Sequence, residues 1–450
     1  MPSNRDLLDA QRFNRARLVT AFTSGLPGGR ELEPRSGMAP LIVGVVLTAV
    51  MIAVALIVNR LSPKLPGDWQ NDYLIVIKNT GARYFSVDGV LRPVTNITSA
   101  KLLAPSGSFK VKEVAASVIA GIPRGAQVGL TDAPDDVPAP SSLITDPWTA
   151  CAPADVATHT WIPYEQEGLA PAQMALVSNQ NTTFLIAGNL FHPLTSTTAT
   201  LTALDLVDAA VHPVRADWLN LLKEASPVGP LFVTGAGQPT QGMPSALSGA
   251  VVGSLVEVPH DDGTTKHYVV SDATHLVELS DVGYSLYLIG TGADPGLVGN
   301  PIQATLADVA ALVVPNQGTI PEDWPPSVND TVPTGSIPCV QRPMTGTDQA
   351  VSLQQIPAAV TQTMGVGQVT VRGGGGVLMA VSNGGTLQAT RLIDDSGVTN
   401  GIGSPSDTLT RLGYSATDVV AVPQPWAALV PPRNANAPAL SNATAEATVT

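Results

Sequence analysis

The sequence is poor in the residues on which many enzymes and nucleic-acid-binding proteins depend. Of its 450 residues only 4% are aromatic and 13% are charged, and there are only two cysteines. Acidic residues outnumber basic ones by 36 to 23, which gives a formal net charge of −13. A negative chain repels a phosphate backbone, so nucleic acid is not expected as a partner. Glycine and proline are abundant instead (41 and 39 residues), which favours short strands joined by turns.

Sequence motifs of catalysis are also missing. The chain has no Gly-Lys pair and hence no Walker A loop, and it has neither a G-x-S-x-G elbow nor an H-E-x-x-H zinc motif. The glycine run 373–376 precedes a predicted strand, which favours a flexible loop over a phosphate cradle. His260, His267 and His275 surround a predicted hairpin turn, which favours a solvated loop over a metal site. We therefore predict no catalytic, cofactor-binding or metal-binding residues, and a non-enzymatic role is favoured while hydrolysis stays open.

One long apolar run covers residues 41–58 and contains no charged residue. As a helix it would extend roughly 27 Å, close to the hydrocarbon thickness of a bilayer. A buried core helix fits less well, because soluble helices rarely lack a polar face over five turns. A signal peptide also fits less well, because residues 59–63 do not form a small-residue cleavage site. We therefore predict a single uncleaved transmembrane helix, residues 39–60.

The basic residues beside this run predict an orientation. Six arginines precede it, and only three basic residues occur in the twenty positions after it: Arg5, Arg12, Arg15, Arg17, Arg30 and Arg35 before, and Arg60, Lys64 and Lys78 after. The positive-inside rule then predicts a cytoplasmic N-terminus and a large C-terminal part outside the membrane. An oxidising compartment would allow Cys151 and Cys339 to form a disulfide, which the chain-entropy model values at roughly 5 kcal/mol. Two free buried thiols are the alternative.

Residues 3–23 are predicted to form a helix, with residues 1–38 as a cytoplasmic basic helix and tether. Arg12, Phe13, Arg15 and Arg17 are the candidate docking residues, because basic and apolar side chains together suit anionic headgroups or a cytoplasmic partner. A solvated basic leader without a docking role is the alternative.

The C-terminal part shows a degenerate repeat of strand, polar turn, strand, glycine and a proline-terminated strand, followed by a short helical stretch and an apolar run. Such units stack because one alone cannot bury a core. The alternative is that the similarity between the units is a coincidence among hairpins rich in proline and glycine. The predicted fold of this part is α+β and β-rich. The predicted segments are a spacer (61–72), repeat 1 (73–137), a linker with Cys151 (138–170), repeat 2 (171–245), a central region and repeat 3 with Cys339 (246–343), repeat 4 (344–432) and a disordered tail (433–450).

Several blocks of this sequence resemble EccB, the single-span membrane component of the type VII (ESX) secretion systems of actinobacteria. The most specific block is 91–102, LRPVTNITSAKL, and the similarity extends over nearly the whole chain. Other matching blocks are the leader 11–18, GARY at 81–84, IPRG at 122–125, the segment 148–151 with the later Cys339, and LGY at 412–414 followed by Val422 and Pro423.

The resemblance implies a structural core subunit of the inner-membrane secretion complex that anchors and oligomerises through its periplasmic domain. It also implies that this domain is an elongated set of repeats around a central domain. The partners it implies are the motor ATPase EccC, EccD, EccE, further copies of the chain and membrane lipids, with the mycosin protease as an additional candidate. Members of this family have carried an ATPase label, which the absence of a nucleotide-binding motif puts in doubt. The alternative is an extracytoplasmic protein that hydrolyses nucleotide or binds the cell wall, the latter through exposed tryptophans such as Trp161 or Trp218. Six dispersed tryptophans are, however, more simply core and linker residues.

Overall fold

The computed structural model describes residues 4–24, 38–61, 64–145, 147–153, 157–163, 168–294, 297, 301–343, 351–361 and 369–448. The chain divides into two compact units, Met1–Leu65 and Pro66–Thr450. The first unit contains two helices, α1 (Asn4–Ser24) and α2 (Met38–Leu61). Helix α1 matches the helix predicted for residues 3–23.

The prediction of a membrane-spanning helix is wrong for the part of the chain that the structure describes. Within that part, no helix is both long enough and apolar enough to cross a bilayer. The single-pass topology that rested on this prediction is therefore not supported.

The second unit begins with a four-stranded sheet, which we name sheet 1, ordered β3-β2-β1-β4. Strands β1 and β2 pair in antiparallel register across a turn in which Asn79 and Gly81 both have φ of 69°. The glycine and asparagine of the predicted hairpin turn supply this left-handed backbone. Strand β4 pairs parallel to β1, so the chain must cross over between them, and a helix does so. The elements are β1 (Tyr73–Ile77), β2 (Arg83–Val87), β3 (Val90–Pro93), α3 (Ile97–Leu103) and β4 (Lys110–Val114).

Three strands that belong to a different sheet follow, and then comes sheet 2, ordered β11-β8-β9-β10-β12. The three strands are β5 (Trp148–Cys151), β6 (His159–Ile162) and β7 (Ala170–Pro171). Sheet 2 and its helices comprise β8 (Met174–Asn179), β9 (Thr182–Ala187), β10 (Leu190–Pro193), α4 (Thr197–Ala203), β11 (Val211–Pro213), α5 (Ala216–Leu219) and β12 (Lys223–Glu224).

Sheet 3, ordered β15-β14-β13-β16, is followed by strands of the same separate sheet as β5–β7. Sheet 3 comprises β13 (Leu255–Pro259), β14 (Thr265–Val270), β15 (Leu276–Leu279), α6 (Asp281–Leu288), β16 (Ile302–Gln303) and α7 (Leu306–Val309). The elements after it are β17 (Ser336–Arg342), β18 (Ser352–Pro357), α8 (Ala358–Thr361) and β19 (Val369–Val371).

Sheet 4, ordered β22-β21-β20-β23, precedes the C-terminal helix. Its elements are β20 (Val377–Asn383), β21 (Thr386–Ile393), β22 (Thr399–Gly401), α9 (Pro405–Leu412), β23 (Val420–Pro423) and α10 (Gln424–Ala428), with α11 (Asn442–Glu446) after them. Short 3-10 helices lie at Ala116–Ile119, Pro140–Ser142, Ser245–Leu247, Thr291–Ala293 and Ala416–Asp418.

Sheets 1 to 4 share one topology. In each, three consecutive strands form an antiparallel meander, and a later strand pairs parallel to the first strand of that meander. The unit is therefore β-rich with short crossover helices, as the composition predicted. The repeat boundaries derived from the sequence stay a prediction.

Apolar clusters show which sheets pack together. The fifth sheet, which we name the central sheet, is ordered β19-β6-β5-β17-β18-β7 and shares one core with sheets 2 and 4. We call this contact the central junction. Sheet 2 shares a second core with sheet 3. Residues of α3 and of the segment that follows sheet 1 share a third core with sheet 4, α9 and α11, and we call this contact the terminal junction.

The tail expected to be disordered, 433–450, instead contains ordered structure. Residues 433–448 are described, and Leu440 is buried against the core of the terminal junction. Ser441 caps α11 by accepting a hydrogen bond from the Thr444 N–H, which satisfies a backbone donor at the start of the helix. The polar composition gave no sign of these contacts, to which the Asn442 hydrogen bond to Leu102 and the burial of Ala445 also contribute.

Candidate functional site

The central sheet assembles segments that are far apart in the sequence. Strand β5 pairs antiparallel with β17, and the register places Cys151 directly opposite Cys339. The two cysteines form a disulfide with their Cα atoms 3.9 Å apart, across a sequence separation of 188 residues. Among the described residues no cysteine is free. The disulfide predicted from the sequence is therefore present, and the alternative of two free thiols is excluded.

Both faces of the central sheet are buried. Alternate residues of a strand point to opposite faces, so Cys151, Cys339 and Trp161 share one face with Ile337 and Ile356. The other face carries Trp148, Ala150, Ile162, Val340 and Leu353 and enters the core shared with sheets 2 and 4. The disulfide thus lies inside a sheet that is covered on both sides, where water and dissolved reductants do not reach it in the folded state.

Tryptophan side chains occupy the central junction. The indole of Trp148 packs edge-on against that of Trp426 of α10, with ring centroids 6.4 Å apart. Trp218 of α5 donates from Nε1 to the Ala150 carbonyl oxygen at 3.0 Å, which ties sheet 2 to β5. Trp161 and Trp218 are only 1% and 0% exposed. The idea that they are exposed and bind a glycan is therefore wrong, because both rings are core residues.

Polar side chains reach across the terminal junction. Arg411 of α9 donates from Nη1 to the carbonyl oxygens of Leu102 and Ala104 at 3.2 and 2.7 Å. Asn442 of α11 donates from Nδ2 to the Leu102 oxygen at 3.1 Å. Arg411 and Asn442 therefore satisfy carbonyls at the end of α3, which the helix itself leaves without partners.

A buried phenol adds to the same contact. The Tyr414 hydroxyl donates to the Pro138 carbonyl oxygen at 2.6 Å. Burial raises the pKa of Tyr414, with a further upward contribution from Asp136 and Asp418, so the phenol stays protonated and remains a donor. Sequence reasoning did not single out Arg411, Tyr414 or Asn442 as contact residues. The only available signal was the Leu-Gly-Tyr block that ends α9, where Gly413 has φ of 90° as a C-terminal cap.

The four predicted docking residues Arg12, Phe13, Arg15 and Arg17 lie on α1 in the first unit. All four are exposed, and Phe13 retains 52% of its accessible surface. Apolar residues along the same helix are exposed as well: Leu7, Leu8, Leu18, Val19 and Phe22. An isolated helix with this much exposed apolar surface is typical of a segment that binds another surface. Its docking role stays a prediction.

The histidines make structural contacts. His192 and His212 bond to the carbonyl oxygens of Ser226 and Val332 at 2.9 and 3.0 Å. His267 stacks on Tyr284 with ring centroids 3.7 Å apart, and His275 contacts the Asp272 carboxylate. In the part of the chain that the structure describes, no group of three or more His, Cys, Asp and Glu side chains could hold a metal ion.

Comparisons with known proteins show similarity over nearly the whole chain. A family model described as "Type VII secretion system ESX-1, transport TM domain B" matches residues 1–449. The "ESX-1 secretion system ATPase EccB1" of Mycobacterium tuberculosis is 24% identical over 403 residues, 83% of this chain and 81% of that protein. The "ESX-2 secretion system ATPase EccB2" of the same species is 27% identical over 284 residues, 60% of this chain and 55% of that protein.

Two solved structures have the same fold. A chain of an intact ESX-5 inner membrane complex superposes with a TM-score of 0.66 at 20% identity, covering 99% of this chain and 95% of that one. A chain of the EccB3 dimer from the ESX-3 core complex superposes with a TM-score of 0.66 at 22% identity, covering 83% of this chain and 99% of that one.

Proposed function

The chain belongs to the family of type VII secretion system ESX-1 transport domain B proteins, and from this membership we propose that it is a structural core subunit of an inner-membrane secretion complex. The membership confirms the resemblance seen in the sequence and the expectation of a type VII secretion component. The single observation that carries the proposal is the family match over residues 1–449. The shared fold with chains of the ESX-5 and ESX-3 complexes supports it.

The architecture of the second unit suits a scaffold. Its apolar surfaces are used to join one sheet to the next, and the disulfide joins two segments 188 residues apart in the sequence. Such a unit holds a defined surface in place without needing a reactive centre. We assign the disulfide the role of keeping β5 and β17 paired in the central sheet.

The location and the partners follow from the same membership. The second unit lies on the periplasmic side of the inner membrane, where an oxidising environment sustains the Cys151–Cys339 bond. The proposed partners are EccC, EccD, EccE and the mycosin protease, together with a second copy of this chain. The solved EccB3 dimer supports self-association. On α1, the exposed side chains Arg12, Phe13, Arg15 and Arg17 dock a partner subunit or anionic lipid.

Affinity purification tests the scaffold role. The full chain, tagged at its C-terminus and extracted in mild detergent, should bring down EccC and EccD in one complex on native gels. Recovery of the monomer alone would contradict the proposal.

A quadruple variant tests the docking role of α1 separately. Replacement of Arg12, Phe13, Arg15 and Arg17 by alanine should reduce recovery of the partners, while Arg5→Ala on the same helix should leave it unchanged. Full recovery with the quadruple variant would remove the docking role and leave the scaffold role intact. Because the substitutions are all on an exposed helix, folding of the second unit should not be affected.

Nucleotide hydrolysis is not proposed for this chain. The word ATPase stands in the names of the curated relatives, but this sequence has no Gly-Lys pair with which to build a phosphate-binding loop. The glycine run 373–376 leads directly into β20, as the sequence predicted, and no helix begins at its end. No contact in the described part of the chain favours cell-wall binding either, since Trp161 and Trp218 are buried.

A further inference from the structure

The chain contains two Asn-Gly pairs, and both lie in sheet 4. One is Asn383-Gly384, where β20 ends, and the other is Asn400-Gly401, within β22. An asparagine that precedes a glycine can react without an enzyme. The glycine nitrogen attacks the side-chain amide of the asparagine, and glycine has no side chain to shield that approach. The same reactive dipeptide therefore occurs twice in one sheet, and its two surroundings can be compared.

The first pair lies at an open hairpin tip. Asn383 pairs with Thr386 as the last residue pair between β20 and β21, and Gly384 and Gly385 form the turn with φ of 56° and 82°. Asn383 and both glycines are exposed, and a Cβ atom added to Gly384 would have no heavy atom within 4 Å. Water therefore reaches the Asn383 amide, and the end of such a strand pair opens easily.

The second pair is held by hydrogen bonds. Asn400 donates from Nδ2 to the Asp394 carboxylate at 2.8 Å, and Arg433 donates from Nε to the Asn400 Oδ1 atom at 3.0 Å. Asn400 is only 6% exposed, and the Leu440 N–H donates to the Gly401 oxygen at 2.8 Å. An amide fixed in this way cannot turn its carbon toward the next backbone nitrogen unless the sheet first opens.

We propose that Asn383 is a site of spontaneous deamidation and that the contacts of Asn400 protect it from the same reaction. The Gly384 nitrogen forms a bond to the Asn383 Cγ atom, and the bond between Cγ and Nδ2 breaks. The proton lost by the Gly384 nitrogen passes to the leaving amide nitrogen, which departs as ammonia. Water, the co-reactant, then opens the cyclic imide at either of its two carbonyls. The products are aspartate and isoaspartate, in which the backbone runs through the former side chain.

The modification changes the tip of sheet 4. Either product places a carboxylate where the chain carried a neutral amide, and isoaspartate also lengthens the backbone by one methylene. A lengthened backbone disturbs the register on which the pairing of β20 with β21 depends. The remainder of β20, residues 377–382, is buried. We therefore expect the strand pairs nearest the tip to open while the buried part of the strand stays paired.

Peptide mapping by mass spectrometry on the full chain tests the proposal. The protein is incubated at mildly alkaline pH, both folded in detergent and unfolded in urea. In the folded chain Asn383 should deamidate at least about 10-fold faster than Asn400, because the Asn400 reaction must wait for the sheet to open. In urea the two sites should react at similar rates, since they share one dipeptide. An isoaspartyl methyltransferase assay on the Asn383 peptide then identifies isoaspartate.

Two variants separate the effect of the sequence from that of the structure. Asn383→Gln should abolish isoaspartate formation at the hairpin tip and leave the Asn400 rate unchanged. Arg433→Gln removes one contact of Asn400 and should speed its conversion several-fold in the folded chain, without changing the rate at Asn383. Equal rates at Asn383 and Asn400 in the folded chain, or an Asn383 that converts only in urea, would overturn the proposal. An unchanged Asn400 rate in Arg433→Gln would overturn the protective role of that contact.

Discussion

The central junction and the terminal junction join sheets of the same topology by different physical means. The central junction buries tryptophans and aliphatic side chains around a sheet that contains a disulfide. The terminal junction has a smaller apolar core and adds hydrogen bonds from Arg411 and Asn442 to carbonyl oxygens at the end of α3. We infer that the central junction is stabilised by buried apolar side chains beside a disulfide. The terminal junction also depends on a few hydrogen bonds. The difference predicts that the two junctions respond differently to mutation and to pH.

The largest effect is expected from loss of the disulfide. The double variant Cys151→Ala/Cys339→Ala should lower the free energy of unfolding by roughly 5 kcal/mol, because the bond restrains a long loop in the unfolded chain. Urea denaturation of the full chain in detergent, followed by tryptophan fluorescence, measures the change. A loss below about 1 kcal/mol would show that the central junction does not need the disulfide.

Truncation of a buried tryptophan should come next. Trp218→Ala should cost about 3–5 kcal/mol, because it leaves a cavity in the central junction and removes the hydrogen bond to Ala150. Trp218→Phe should cost less and separates the ring volume from the hydrogen bond. The control Trp69→Ala changes a tryptophan outside the shared core and should cost less than either variant at position 218. A loss as large at position 69 would contradict the assigned importance of the junction.

A smaller and more local effect is expected at the terminal junction. Arg411→Leu should cost about 1.5–3 kcal/mol, because it leaves the Leu102 and Ala104 carbonyls without their charged donor. Hydrogen exchange read by mass spectrometry should rise in residues 97–103 and stay unchanged in residues 148–151. The control Asp407→Asn breaks only the exposed i,i+4 pair with Arg411 and should cost about 0.3–0.5 kcal/mol. Faster exchange in both regions would mean that the two junctions do not act separately.

The smallest expected effect is a pH dependence that arises on the disulfide face of the central sheet, opposite the central junction. His159 lies in β6, and burial lowers its pKa below the ordinary value of 6.5. The unfolded chain then binds a proton that the folded chain excludes, so the free energy of unfolding falls as the pH drops below about 6.5. Denaturation of the wild type and His159→Asn at pH 7.5 and 5.5 measures the difference, which should shrink in the variant. His275→Gln, at an exposed position, is the control and should behave as the wild type.

Local chemistry allowed part of this structure to be predicted. The hairpins follow from turn residues such as Asn79 and Gly81, and α1 follows from its first-turn residues and composition. The disulfide was predictable because the chain has only two cysteines, so each has one possible partner within the chain, and because an oxidising compartment favours the bond. The burial of Trp161 and Trp218 agrees with the simpler interpretation of dispersed tryptophans as core and linker residues, although the sequence could not say which core they enter. The order in the tail was missed because low-complexity composition outweighed a single buried leucine, Leu440.

The sequence by itself determined the family, the β-rich composition, the absence of a nucleotide-binding motif and the identity of the disulfide partners, because each depends on residue types and their order. Only the tertiary structure decided which distant strands pair. Examples are the parallel pairing of β4 with β1 and the pairing of β5 with β17, which no local preference encodes. The tertiary structure also decided that Arg411 and Asn442 bind the end of α3 and that Tyr414 binds Pro138. The physical reason is that register and packing between distant segments are set by shared burial, a property that exists only once the chain has folded.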